Sequence, residues 1–264
     1  MNIDGIKMAS AFRRSQEYLL PVCKLNEAGQ PRKVGIEIEF AGLSDKEAAS
    51  AVQEKIGGFL FEDHPHTTIL KGTDYGDIEF MLDTTFAHPN SEYEAEAVQD
   101  TREILGNIVS GLVPHEMVTA PIPIDQLNVL DTVTQALNAA GAKGTQDSIA
   151  YAFGLHINTE IASGKAEYLL SIIRAMILLD SQVRESIQPD WSRDVLQWAQ
   201  SYQESYELHV MSQDYNPYLS TLIRDYIELN PGRSYHLDML PIFRHLHPNI
   251  VTDLTGNKYP ASRP

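Results

Sequence analysis

Apolar and polar side chains alternate along residues 34–40, which is the period of a β-strand with one apolar and one polar face. The polar face carries two carboxylates, Glu37 and Glu39. Side chains two positions apart on a strand are separated by about 7 Å, so ionised glutamates there repel each other unless water or a cation screens them. The pattern therefore predicts either a solvated strand face or a cation-binding face.

The same one-sided pattern returns later in the chain. Residues 77–83 and 153–158 alternate in the same way, and residues 113–121 form a shorter β-prone segment with one acid. The segment 153–158 also carries Asn158 on its polar face. If these strands belong to one antiparallel sheet, a single face gathers five candidate ligands: Glu37, Glu39, Glu79, Glu116 and His156. A bound cation would relieve the repulsion within such a cluster.

Helical periodicity accounts for most of the remaining chain. Residues 166–187 are apolar on all sides, which is typical of a core helix. A helix over residues 46–56 is expected to end at a glycine pair. The other predicted helices cover residues 91–111, 125–140, 193–211 and 216–228.

Composition narrows the classes of partner. The chain has 264 residues, 43% of them hydrophobic, which is enough for a sizeable core. Its formal charge is −16, with no run of lysine and arginine, so nucleic acid and anionic membranes are not expected as partners. The most apolar segment, residues 168–179, contains Arg174 and is too short to span a membrane. Residues 1–10 are too polar for a secretory signal.

Cysteine usage predicts a reduced, cytoplasmic setting. Cys23 is the single cysteine, which excludes internal disulfides and a cysteine-rich zinc site. A candidate site rich in carboxylates and free of thiols fits Mg²⁺ or Mn²⁺ better than Zn²⁺. Such hard cations commonly bridge protein carboxylates to substrate phosphates.

Three common enzyme motifs are absent from the sequence. Residues 141–145 contain glycine, lysine and threonine, but the lysine precedes the last glycine, so they do not form a Walker loop. This segment is expected to be a helix C-cap and turn. The chain also lacks the glycine fingerprint of dinucleotide-binding folds and the glycine-flanked serine of hydrolases.

Four segments together resemble a known family. In order, residues 35–40, 115–121, 153–158 and 230–233 are similar to the successive motifs of the amidoligases, within the superfamily of glutamine synthetase and glutamate-cysteine ligase. The resemblance spans about residues 33–245. It implies an α+β fold in which a curved antiparallel sheet of glutamine synthetase-like type binds Mg²⁺ and ATP on its concave face. Helices would pack on the convex side.

The resemblance also implies roles for individual residues. Glu37, Glu39 and Glu116 match metal-binding glutamates, and His156 matches a histidine that ligates a metal near the nucleotide phosphates. Glu79 joins the metal candidates through its position on the polar face. The expected cofactor-binding residues are His156, Asn158, Asn230 and Arg233, of which Asn158 and Arg233 are also the catalytic candidates.

Two of these assignments have alternatives. Asn158 stands where glutamine synthetases carry a second, phosphate-contacting histidine, so its role is open. Arg233 fits a phosphate or carboxylate contact, but an arginine in such a turn also commonly pairs with a surface acid.

The expected organisation is an N-terminal arm over residues 1–30 followed by an amidoligase-like catalytic domain over residues 31–264. In the family we expect a further strand, rich in arginine and aromatic residues, after a segment resembling residues 258–264. This chain ends at Pro264. If that strand supplies an arginine for phosphoryl transfer, this form would bind nucleotide but turn over poorly.

The resemblance implies an ATP-dependent ligase that joins a carboxylate to an amine through an acyl phosphate. The substrates would be small-molecule or peptide carboxylates and amines. Two alternatives stay open: a non-catalytic or truncated Mg-nucleotide-binding module, and a metal-dependent phosphatase or phosphotransferase that uses the same acids.

Overall fold

A computed structural model describes residues 18–82, 114–144, 155–187, 200–230, 232–233 and 235–256. The predicted helix over residues 91–111 and the start of the one over residues 193–211 lie outside these ranges. The chain divides into two compact units, the first ending at Glu160 and the second beginning at Ile161. The predicted division into an arm and a catalytic domain stays a prediction.

Within its described residues, the first unit is built on an open antiparallel sheet of seven strands. Strands β2, β3, β4, β5 and β1 lie side by side in that order, and β6 and β7 both pair with β1. The strands are β1 (Lys33–Phe40), β2 (Phe59–His64), β3 (Thr67–Thr73), β4 (Gly76–Leu82), β5 (His115–Thr119), β6 (Ile122–Pro123) and β7 (Leu155–Thr159).

Two helices of the first unit, α1 (Asp45–Ile56) and α2 (Val129–Ala140), pack on the apolar face of this sheet. The side chains between these helices and the sheet are almost completely buried, and each of those larger than alanine contributes roughly 1.5–3 kcal/mol to folding. This core includes Ala48, Val52, Leu70, Phe80, Met117 and Val133. The α+β class and the antiparallel sheet are therefore confirmed, whereas the glutamine synthetase-like type stays a prediction.

Helix α1 has a complete capping box. The Ser44 hydroxyl accepts from the Glu47 amide at 3.3 Å, and the Glu47 carboxylate accepts from the Ser44 amide at 2.9 Å. A buried hydrogen bond of 2.6 Å from the Thr68 hydroxyl to Asp45 ties the first turn to β3. Gly58 then turns the chain into β2 at φ +96°, where an added Cβ would lie 2.8 Å from the Lys71 carbonyl oxygen.

The second unit contains five helices within the described ranges: α3 (Ala166–Ile187), α4 (Glu204–Met211), α5 (Leu219–Leu229), α6 (Leu240–Leu246) and α7 (Pro248–Thr255). Its core combines aliphatic side chains with a group of aromatic rings, of which Tyr202, Tyr206 and Tyr226 pack edge to face. Arg174, which interrupts the apolar run of α3, donates to the carbonyl of Val210 in the last turn of α4 and to those of Ser212 and Tyr215 just after it.

Some of the sequence predictions for the elements were wrong. The β2–β3 hairpin was not predicted, and the helix expected from residue 193 begins only at Glu204 within its described part. Helix α3 is a core helix only along one side, because Leu178 and Leu179 are 66% and 47% exposed. No helix in the described ranges has the length and apolar character needed to cross a membrane.

The capping box yields a direct test of the first unit. We expect Ser44→Ala to lower the free energy of unfolding by about 1 kcal/mol, because the Glu47 amide loses its acceptor. Chemical denaturation measures this change. Ser50→Ala on the exposed side of α1 is the matched control and should change stability by less than about 0.5 kcal/mol. Equal effects of the two substitutions would contradict a working cap.

Candidate functional site

Strand register brings four of the predicted residues onto one face of the sheet. Across β1 and β5, Glu39 lies directly opposite Glu116. On the other side of β1, Glu37 lies opposite His156 of β7. Directly opposed residues of an antiparallel pair share a face, so these four side chains point away from the core beneath α1 and α2. We call Glu37, Glu39, Glu116 and His156 the acid cluster.

Glu79 lies on the same face but farther along the sheet. It is opposite Val118 of β5, which is in turn opposite Glu37. Two strand spacings therefore separate Glu79 from Glu37, or about 10 Å between backbones. Its predicted place on the polar face agrees with this register. To help bind a cation at the acid cluster, Glu79 would have to reach it sideways from β4.

Two hydrogen bonds hold the Glu37 carboxylate. The Nδ1 atom of His156 lies 3.0 Å from one oxygen, and the Asn158 amide nitrogen donates to the other at 2.8 Å. Both partners come from β7, although they are about 120 residues away in sequence. Asn158, whose role the sequence left open, thus orients Glu37 in this structure.

The charges around His156 favour its protonated form. The hydrogen bond to Glu37 raises the pKa of His156 above its ordinary value, and partial burial opposes this shift. The negative charges of Glu37, Glu39 and Glu116 raise the pKa further. An imidazolium among three carboxylates leaves the face with excess negative charge, so it attracts cations.

Contacts at both ends of β1 and at its middle fix the position of the acid cluster. Near its start, the Glu160 carboxylate accepts from the Lys33 amide, and the nearly buried Arg32 side chain donates to the Glu160 carbonyl. Midway along β1, the Ile36 amide donates to the Thr119 hydroxyl. At its end, the Phe40 ring stacks on His115 with 6.0 Å between centroids. His115 is buried and therefore belongs to the core side of β5.

The donor set of the acid cluster suits a hard divalent cation in its chemistry, since it offers carboxylate oxygens and one imidazole. The side chains of the acid cluster do not, however, have the arrangement of a metal site. Among the residues that the structure describes, no three acidic, histidine or cysteine side chains meet around a point that could hold a metal ion. Both Glu37 oxygens are engaged by His156 and Asn158. Binding would require these side chains to turn toward a common point.

Asn230 and Arg233 lie in the second unit. Asn230 is 1% exposed, and its amide group donates to the Tyr226 carbonyl at the end of α5 and accepts from the Gln203 amide. Arg233 forms an ion pair of 2.7 Å with Asp238, which is the alternative that the sequence left open. The predicted ligand contacts of both residues stay predictions.

The raised pKa of His156 generates a pH-dependent test. A histidine whose pKa is raised by folding stabilises the protein below its unfolded pKa of about 6.5, and loses that effect as pH rises through the raised value. Glu37→Gln should therefore lower the pKa of His156 and destabilise the protein more at pH 6 than at pH 9. NMR titration of the imidazole and urea unfolding at both pH values measure the two effects.

Glu54→Gln, on the exposed surface of α1, is the matched control for loss of one carboxylate. It should leave the pKa of His156 unchanged. A wild-type pKa at or below the ordinary histidine value would show that the Glu37 contact does not operate in solution.

No match to the chain is found among curated proteins or among solved structures. A family model described as "Putative amidoligase enzyme" matches residues 30–262. This range includes the acid cluster and all four segments on which the sequence resemblance rests. The chain therefore belongs to this amidoligase family.

Proposed function

We propose that the protein is an ATP-dependent carboxylate–amine ligase that forms an amide bond through an acyl phosphate. One observation carries the proposal: in a member of the amidoligase family, strand register gathers Glu37, Glu39, Glu116 and His156 on one face of the sheet. An acidic cluster alone would not select this chemistry. The family membership supports a ligase, and the donor set supports divalent cations and a phosphate-bearing substrate.

The cation would be Mg²⁺ or Mn²⁺, held by the three glutamates and by His156 in its neutral form, with Glu79 at the side of the site. Binding of the cation would therefore displace any proton that His156 carries in its absence. When bound, it would supply positive charge that offsets the negative charge building up on the transferred phosphoryl group. Glu37 must exchange its hydrogen bonds with His156 and Asn158 to take part. The amide of Asn158 would then be available to donate to a phosphate oxygen.

The reaction would proceed in two displacements. A carboxylate oxygen of the first substrate attacks the γ-phosphorus of ATP, the bond to the bridging oxygen of ADP breaks, and an acyl phosphate forms. The amine nitrogen of the second substrate then attacks the acyl carbon, and inorganic phosphate leaves. A carboxylate of the acidic face would accept the proton that the amine nitrogen loses. Exclusion of water protects the acyl phosphate between the two steps.

The charges of the face fit the second substrate. Amines are protonated near neutral pH, and an acidic face attracts an ammonium group before it loses its proton. We assign the contact with phosphate or with the substrate carboxylate to Arg233. Its side chain is 44% exposed, and its guanidinium group would have to exchange Asp238 for the ligand. The substrates would be small molecules or peptides that carry the required carboxylate and amine.

The metal-nucleotide part of this proposal predicts a thermal shift. Mg²⁺ and ATP together should stabilise the wild type, by about 2.7 kcal/mol when ligand is present at about 100 times its dissociation constant. The Glu37→Gln, Glu39→Gln variant should show no such shift, because the carboxylates that hold the cation are gone. Thermal unfolding with Mg²⁺, ATP, both or neither measures the effect.

The control for this experiment is Glu54→Gln combined with Glu228→Gln. It removes two exposed helical carboxylates and leaves the acid cluster intact, so its shift should equal that of the wild type. If the double variant in the acid cluster keeps the full shift, the glutamates form a solvated face and the proposed site is wrong.

Turnover separates the ligase from its two alternatives. A ligase releases ADP and phosphate only when both a carboxylate and an amine are present, and the Glu37→Gln, Glu39→Gln variant should lose this activity. Phosphate release that is indifferent to both substrates would identify a phosphatase or phosphotransferase. A wild type that binds Mg²⁺ and ATP but releases no ADP across a panel of amino acids and peptides would be a binding module.

A further inference from the structure

Strand β2 forms an outer edge of the sheet and is exposed along its whole length. It pairs with β3 on one side, and no strand within the described ranges pairs with its other side. All six of its residues are exposed, although three of them are large and apolar. The exposed fractions are 76% for Phe59, 39% for Leu60 and 47% for Phe61. An exposed, apolar strand edge of this kind is a template for pairing with another strand.

The apolar triplet of β2 is a palindrome. When an antiparallel strand with the same sequence is centred on Leu60, each Phe59 lies opposite a Phe61 and Leu60 lies opposite itself. Phe59 and Phe61 project from the same side of the strand, since they are two residues apart. Such a pairing would therefore collect four phenylalanine rings on one face of the combined sheet, where cross-strand aromatic pairs are favourable.

We propose that two copies of this chain associate through their β2 edges, in antiparallel register about a two-fold axis through Leu60. The register avoids opposed like charges, because the acids that follow the triplet in one copy would approach the uncharged glycine turn that precedes β2 in the other. A register shift between Glu62 and His64 interrupts the regular edge beyond the triplet. The paired segment is therefore short, and the dimer is a weak one.

The net charge of the chain makes it possible to distinguish a second copy from a basic peptide as the partner of β2, through the effect of salt on binding. Each copy carries −16, so long-range repulsion opposes association of two copies and is screened by salt. Dimerisation should therefore strengthen as ionic strength rises. A basic peptide bound to the same edge would show the opposite dependence, because salt would screen its attraction to the acidic protein.

The proposed axis is perpendicular to the sheet, so both acid clusters would open on the same side of a continuous sheet. Four strand spacings separate β1 from β2 in each copy, and one more joins the two copies. The two acid clusters would thus lie roughly 40 Å apart along the sheet. Each is complete within its own copy, so this proposal does not depend on the ligase function.

Sedimentation of the full chain over concentrations from about 1 µM to about 1 mM tests the association. The wild type should shift from monomer to dimer within this range. Phe59→Lys combined with Phe61→Lys should weaken dimerisation at least tenfold, because each lysine would face a lysine of the other copy. The control is Leu19→Lys with Val22→Lys, which alters two exposed apolar residues outside the sheet and should dimerise like the wild type.

Disulfide trapping tests the register in a Cys23→Ser background. Opposed Cα atoms in an antiparallel pair lie about 4.5–5.5 Å apart, within the range that a disulfide can bridge. Leu60→Cys should form a covalent dimer under mild oxidation, whereas Glu54→Cys on α1 should not. A mixture of Phe59→Cys and Phe61→Cys chains should cross-link faster than either variant alone.

Three results would overturn the proposal. The first is a monomer across the whole concentration range at both low and high salt. The second is a dimer that survives the paired lysine substitutions in β2. The third is cross-linking of Leu60→Cys no faster than that of Glu54→Cys. Circular dichroism of each variant would establish that it is folded.

Discussion

The burial of one face of β1 is the constraint on which the rest of the first unit depends. Val34, Ile36 and Phe40 are at most 3% exposed, and their packing determines which way the intervening residues point. A slip of one residue in the pairing would drive Glu37 and Glu39 into the apolar core, where an unpaired carboxylate costs far more than the alternative pairing could recover. The core thus holds the carboxylates on the open face.

On that open face, repulsion between carboxylates is opposed by the contacts of Glu37 with His156 and Asn158. Three carboxylates on adjacent strands repel each other, and their charges, together with the hydrogen bond to Glu37, raise the pKa of His156. A proton on His156 would offset part of this repulsion. Asn158 occupies the other Glu37 oxygen. The same hydrogen bonds that stabilise the sheet therefore compete with any cation for Glu37. The free energy of cation binding would be reduced by the cost of breaking these hydrogen bonds. The number of carboxylates alone would therefore overstate the affinity for a cation.

Local alternation was sufficient to predict β1, β4 and β7 and to assign their acids, histidine and asparagine to one polar face. It could not predict the Glu37–His156 contact, because the register between strands about 120 residues apart depends on the packed sheet. The β2–β3 hairpin was missed since the residues from Phe59 to Phe61 form an unbroken apolar run without strand period. Helix α3 was predicted to be a core helix because it is apolar on all sides, but only one side is buried. The composition of a helix does not determine which elements pack against it.

Strand β7 supplies the two hydrogen-bonding partners of Glu37, yet all five of its residues are exposed. Leu155 and Ile157 are about 60% exposed, so release of the strand from β1 would expose little additional apolar surface. Local opening of such a segment requires less free energy than global unfolding. His156 and Asn158 can therefore separate from Glu37 while the core beneath β1 stays intact, and amide hydrogens of β7 should exchange with solvent faster than those of β1.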